Sequence, residues 1–265
     1  MKAMDLLKEH EILFGFSTCA TSVNAEYVMS EEYLDKMIEK GCKYGWYFNY
    51  MPVGCGAQTD LLTTPEQREK MYYKLAEYRK TKPIFTIDFW NDGRFVGGCI
   101  AGGKHYMHIN ANGDVEPCVF IHYSNANVKD MSLLETLKQP IFKEYQKNQP
   151  FSDNLLRPCP LLDNEGKLAE MVNRCGAKST DLAHPENVED LCAKCHNIAR
   201  DWKCTADKLW QKEGHEIKEE TNNVELKEEK EVFYEDLEYT YSFDKVKSDY
   251  IYITTPKERG NKRIK

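Results

Sequence analysis

G-G-C-I-A-G-G-K-H-Y-M-H-I-N-A-N-G-D-V-E-P-C-V-F, residues 97–120, is the stretch on which the reading of this chain turns. A cysteine follows a glycine pair, a hairpin pattern comes next, and a second cysteine stands behind a proline. The Asn112-Gly113 pair suits the positive φ angles of a tight turn between H-Y-M-H-I and D-V-E-P-C, so a small antiparallel hairpin is expected there. Thiolates that hold a metal or an inorganic cluster need backbone that can turn tightly around it, which glycine and proline neighbours allow. Cys99 and Cys118 meet that description, and so does Cys159, enclosed by Pro158 and Pro160. A tetrahedral zinc site takes the same ligands. His105, His108 and His122 lie near these cysteines, and two of the three read as strand surface or hydrogen-bonded core.

Upstream, residues 1–10 read as the end of an amphipathic helix and I-L-F-G-F-S-T at 12–18 as a buried strand. Ser30 caps a helix over 31–40 with Leu34, Met37 and Ile38 on one face and Gly41 as its stop. Y-G-W-Y-F-N-Y-M gives a second strand up to Pro52, Thr64-Pro65 opens a helix to about Lys80, and I-F-T-I-D-F at 84–89 is a third strand. Strands alternating with helices at this spacing predict βαβ units, a parallel sheet and an α/β fold class, with chemistry at the C-terminal strand ends. Ser17, Asn49 and Asp88 sit near those ends and are the candidate cofactor-binding residues. Three strands and two connecting helices make about half of a barrel or of a doubly wound sheet.

Downstream, residues 131–148 read as two short helical stretches broken at Pro140. A helix follows from about Asn164 to Arg174, and another over 186–212 carries Leu191, Ile198, Trp202 and Trp210 as apolar positions. Beyond Lys212 the run is too polar to build a core and reads as a solvated linker. The aromatic alternation over 233–253 predicts an edge hairpin or a partner-dependent strand pair, and K-E-R-G-N-K-R-I-K a solvated basic end.

With 41% hydrophobic and 12% aromatic residues among 265, the chain can bury a core. A formal charge of -7 supplies no global positive field, so neither nucleic acid nor an anionic membrane is an expected partner. No stretch approaches the roughly 18 to 20 apolar residues of a membrane span, and the N-terminus lacks a signal-peptide pattern, so the cytoplasm is the expected location. In that reducing setting ten cysteines point to metal ligands or catalytic thiols, although Cys19 and Cys42, in apolar surroundings, read as core. Cys192-Ala-Lys-Cys195-His196 spells the attachment motif of c-type haem, which is set aside because attachment needs export.

The run from Cys99 to Phe120, with its C…G-x-x-x-x-C spacing, resembles the auxiliary-cluster region (SPASM or the shorter twitch form) of radical S-adenosylmethionine enzymes. Those enzymes place such a region directly after a partial (β/α)6 barrel, and residues 1–89 resemble the barrel's last three strands, with Y-M-P-V-G after the fifth. The resemblance implies the second half of the barrel over 1–92, a small α+β auxiliary-cluster region with a β-hairpin over 93–212, and an acidic linker with an aromatic, partly disordered extension over 213–265. It also implies that Cys99, Cys118 and Cys159 ligate an auxiliary [4Fe-4S] cluster. Cys195 is the expected fourth ligand, with Cys175, Cys192, Cys204 or an open position as alternatives. The family's C-x-x-x-C-x-x-C motif, which binds the cluster that cleaves S-adenosylmethionine, does not occur in the sequence. The resemblance therefore implies that S-adenosylmethionine is used only if the missing N-terminal half is supplied, for instance as a separately encoded chain, with a peptide or small molecule as substrate. The rival expectation is a non-catalytic zinc or iron-sulfur module that scaffolds a partner through residues 233–253.

Overall fold

A computed structural model describes residues 1–217, all within one compact unit, Met1–Glu220. The expected aromatic extension and nearly all of the acidic linker lie outside the described residues. Helix α1 (Lys2–Glu9) leads into strand β1 (Phe16–Ala20), and two short helices, α2 (Ala25–Val28) and α3 (Glu31–Glu39), connect it to β2 (Tyr44–Asn49). Helix α4 (Pro65–Thr81) then returns the chain to β3 (Phe85–Asp88). The strands pair in parallel in the order β1-β2-β3, with Phe16 opposite Gly45 and Gly45 opposite Thr86. Caps fix the crossover helices as their sequence indicates. The Ser30 hydroxyl accepts the Tyr33 N–H at 3.1 Å, and Thr64 and Gln67 close a reciprocal capping box ahead of Pro65.

The first strand starts later than the 12–18 expected from its apolar run. Glu11 adopts a φ of 55° and the Ile12 N–H reaches back to the Leu7 carbonyl at 2.9 Å, so the exit from α1 consumes residues 10–13. Side chains alternate across the sheet. Phe16, Ala20, Tyr47, Thr86 and Asp88 face the helices and are buried, whereas Ser17 and Cys19 on the opposite face of β1 are exposed. Cys19 is therefore not a core residue, while Cys42 is buried as expected. The same opposite face carries Trp46, Phe48 and Phe89, whose rings pack 5.0–6.0 Å apart.

After β3 the chain forms α5 (Gly93–Val96) and the expected hairpin, reduced to two residues per strand: β4 (His108–Ile109) against β5 (Val115–Glu116). A second antiparallel pair joins β6 (Tyr123–Ser124) to β7 (Lys178–Ser179), too short for any period to announce. Between them lie α6 (Leu133–Thr136), α7 (Pro140–Asn148) and α8 (Lys167–Cys175), split at Pro140 as the sequence indicates. The single helix expected over 186–212 is two, α9 (Val188–Ala193) and α10 (His196–Lys212). The break follows from packing: α9 lies on α8, whereas α10 lies on α4. Among the described residues no helix is long and apolar enough to cross a membrane.

Candidate metal centre

Three loops converge beyond the end of β3. The first, between α5 and β4, carries Cys99; the second, after β5, carries Cys118; the third, between α7 and α8, carries Cys159. All three cysteines line one cavity of about 120 Å³, together with Trp46, Ile87 and Phe89 from the aromatic face of the sheet. A single water needs only about 15 Å³, so this is more than a packing defect.

Each sulfur accepts a backbone N–H from just downstream: Ala101 to Cys99 at 3.4 Å, Phe120 to Cys118 at 3.5 Å and Leu162 to Cys159 at 3.4 Å. Such bonds place positive dipole on sulfur and favour the thiolate. Burial works the other way. It pushes the Cys99 thiol up to about 12 and raises Cys118 and Cys159 as well. Thiols raised by burial and met by aligned N–H donors suit a bound cationic centre, which would repay the desolvation. Among the described residues no three His, Cys, Asp or Glu side chains meet closely enough to hold one metal ion.

The glycines of the first loop are required by both shape and backbone. Gly102 has a φ of 68° and its N–H donates to the Pro117 carbonyl at 2.8 Å, tying the Cys99 loop to the Cys118 loop. A Cβ there would enter the Tyr145 ring, and one on Gly103 would come 2.6 Å from Leu137. Gly102→Ala therefore combines a left-handed φ with a clash and is expected to destabilise the chain by more than about 1 kcal/mol. Thermal denaturation checks this; an unchanged midpoint would refute it.

The third loop is pinned from two sides. Arg68 of α4 donates to Asp163 at 2.6 Å, both side chains being fully buried, and the other Asp163 carboxylate oxygen accepts the Cys159 N–H at 2.9 Å. The Arg68 guanidinium stacks 4.0 Å over Trp202 of α10, whose indole N–H donates to the Leu156 carbonyl at 3.0 Å. The Cys159 backbone is thus set by helices distant in sequence.

The model of the SPASM family, an iron-sulfur cluster-binding domain, matches residues 99–160, from the first of the three cysteines to the residue after the third. Residues 99–160 are similar to a SPASM domain. No curated protein matches the sequence. Solved structures similar to the chain include hexahistidine-tagged anSMEcpe with bound AdoMet, at a TM-score of 0.39 and 16% identity, covering 80% of this chain and 58% of that one. Native anSMEcpe with bound AdoMet and Cp18Cys peptide is similar at a TM-score of 0.37 and 16% identity, over 80% and 61%. The chain spans less than two thirds of the length of these structures.

The other residues singled out from sequence are dispersed. Cys195 is buried beside Cys192 in the core contacted by α9, and neither lines the cavity. Cys175 ends α8 and its thiol donates to the Val172 carbonyl at 3.5 Å, while Cys204 is exposed on α10. His108 pairs with buried Glu116 at 2.6 Å, the His122 ring bonds the Val119 carbonyl at 3.1 Å and His105 is exposed. Ser17 is exposed on β1, and Asn49, buried on the helix side, accepts the Thr63 hydroxyl at 3.1 Å.

Of the three strand-end candidates only Asp88 lines the cavity. It accepts from the Asn91 side chain at 2.7 Å, yet burial, with Asp92 nearby, pushes its carboxyl up to about 6. Its folded pKa lies above the ordinary carboxylate value, so the folded state binds this proton more readily. The penalty is present above about pH 6 and is relieved as pH falls toward about 4. Relative to Asp88→Asn, the wild type is expected to gain on the order of 2–3 kcal/mol between pH 7 and 4. Parallel denaturant titrations at the two pH values read that difference directly.

Sequence reasoning missed Arg68, Asp163, Tyr106 and Tyr145. Tyr106 and Tyr145 line the cavity, and the Tyr106 hydroxyl lies 2.8 Å from the Cys118 sulfur. Asp163 stands four residues beyond Cys159, a spacing that could have flagged it as a partner of the loop. Arg68 carries no signal, being one charge among many along α4.

Proposed function

We propose that Cys99, Cys118 and Cys159 hold an auxiliary [4Fe-4S] cluster at the edge of the second half of a partial (β/α)6 barrel of the radical S-adenosylmethionine type. The observation that carries this is the convergence of three cysteines from three loops on one cavity, each sulfur accepting a backbone N–H. What supports an open fourth coordination position is that no fourth cysteine of the described residues lines that cavity. Such a cluster, when bound, supplies electron transfer or a Lewis-acidic iron for a ligand. The chain's own part is to keep water out with Trp46, Phe89, Trp90 and Phe120, to hold three thiolates by N–H donors, and to present the aromatic strand face beside them.

In this reading the chain does not cleave S-adenosylmethionine by itself, because it lacks the three-cysteine motif that would hold the second cluster. A separately supplied N-terminal half would complete it, and a peptide or small molecule would lie against the sheet's aromatic face. The reading calls for the reducing cytoplasm, where thiols stay free for iron.

Anaerobic purification and reconstitution with ferrous iron and sulfide test the cluster. A brown protein with about four iron and four sulfide per chain is expected. A colourless protein holding stoichiometric zinc would overturn the cluster in favour of a zinc module.

A further inference from the structure

Two tyrosines of the cavity have no part in ligation, and one of them is left with an unmet bond. Tyr145, on α7, is completely buried, and its hydroxyl is a buried polar atom with no hydrogen-bond partner among the described residues. A buried hydroxyl without a partner is costly, and native proteins tolerate few of them. The ring cannot swing to find one. It is held on one side by Gly102, where no Cβ could fit, and on the other by Phe151, packed edge-on at 5.3 Å. Its side chain lines the same cavity as Cys99, Cys118 and Cys159. Tyr106, from the loop before β4, already places its hydroxyl on the Cys118 sulfur.

The geometry points to Tyr145 and Tyr106 as hydrogen-bond donors to the sulfurs of the cluster, raising its reduction potential. This rests on the cluster reading given above. A phenol is protonated at neutral pH and is an O–H donor. Sulfur that carries more negative charge accepts more strongly, so each donor stabilises the reduced cluster over the oxidised one and moves the potential upward. The Tyr145 hydroxyl, a liability in the empty fold, then has its partner only when the cluster is in place.

The test uses the full chain, reconstituted anaerobically, with Tyr145→Phe, Tyr106→Phe, the double variant, and Phe142→Leu as a packing control that removes no hydroxyl. Each Tyr→Phe variant is expected to keep the iron and sulfide content of the wild type and to show a more negative midpoint in a dithionite redox titration. The double variant should shift furthest and the control should stay at the wild-type value. Without metal, Tyr145→Phe is expected to melt at a higher temperature than the wild type, because the orphan hydroxyl is gone. Wild-type potentials in both Tyr→Phe variants would overturn the inference. A folded Tyr145→Phe that holds no iron would overturn it too, since a donor of this kind tunes the cluster and does not hold it. A wild type that takes up no iron is a different failure, and it sinks the cluster reading itself.

Discussion

Asp163→Ala is expected to destabilise the protein by about 3–5 kcal/mol, the cost of leaving a buried guanidinium without its carboxylate. Arg68 is fully buried in a pocket formed by α4, α10 and the Cys159 loop, and its 2.6 Å bond to Asp163 is the charge pair at the centre of that pocket. Trp202 stacking at 4.0 Å offers the cation partial compensation only. Removing Asp163 also frees the Cys159 N–H, so one substitution unsettles both the packing of α4 on α10 and the backbone that carries a proposed ligand. Denaturant unfolding of the metal-free chain measures the loss, and a cost below about 1 kcal/mol would mean the pair is solvated. The double substitution Arg68→Met with Asp163→Leu should recover much of the stability, because it removes both charges together. It should not restore the Cys159 geometry, so iron content and stability should separate in that variant.

The second large effect concerns the metal. Alanine at Cys99, Cys118 or Cys159 is expected to reduce iron and sulfide in the reconstituted chain to background, since each removes one of three thiolates around the cavity. Alanine at Cys175, Cys192, Cys195 or Cys204 is expected to leave the iron content at the wild-type level. Cys195 carries the decision, because the family resemblance made it the expected fourth ligand and the fold sets it beside Cys192, away from the cavity. Loss of iron in a folded Cys195→Ala chain would restore it as a ligand, whereas retained iron would leave the fourth position open.

The sequence by itself determined the local elements and singled out the three cysteines proposed here as ligands. Capping residues, Pro65, Pro140 and the alternation of apolar strands with amphipathic helices are signals carried by a few neighbouring residues, and the parallel sheet, the helix break at Pro140 and the hairpin followed from them. Cys99, Cys118 and Cys159 stood out because tight turns require glycine and proline, and that requirement is written next to each cysteine. What only the tertiary structure decided depends on residues far apart in the chain. The break between α9 and α10 arises because each packs on a different helix. Cys19 lost its place in the core because sheet register, not local apolarity, chooses the face of β1. Arg68 and Asp163 meet across 95 positions, and Tyr145 joins the lining of the cysteines' cavity from a helix whose apolar stripe marks it only as core. A buried charge or an orphan hydroxyl is defined by what surrounds it, and those surroundings exist only once the chain has folded.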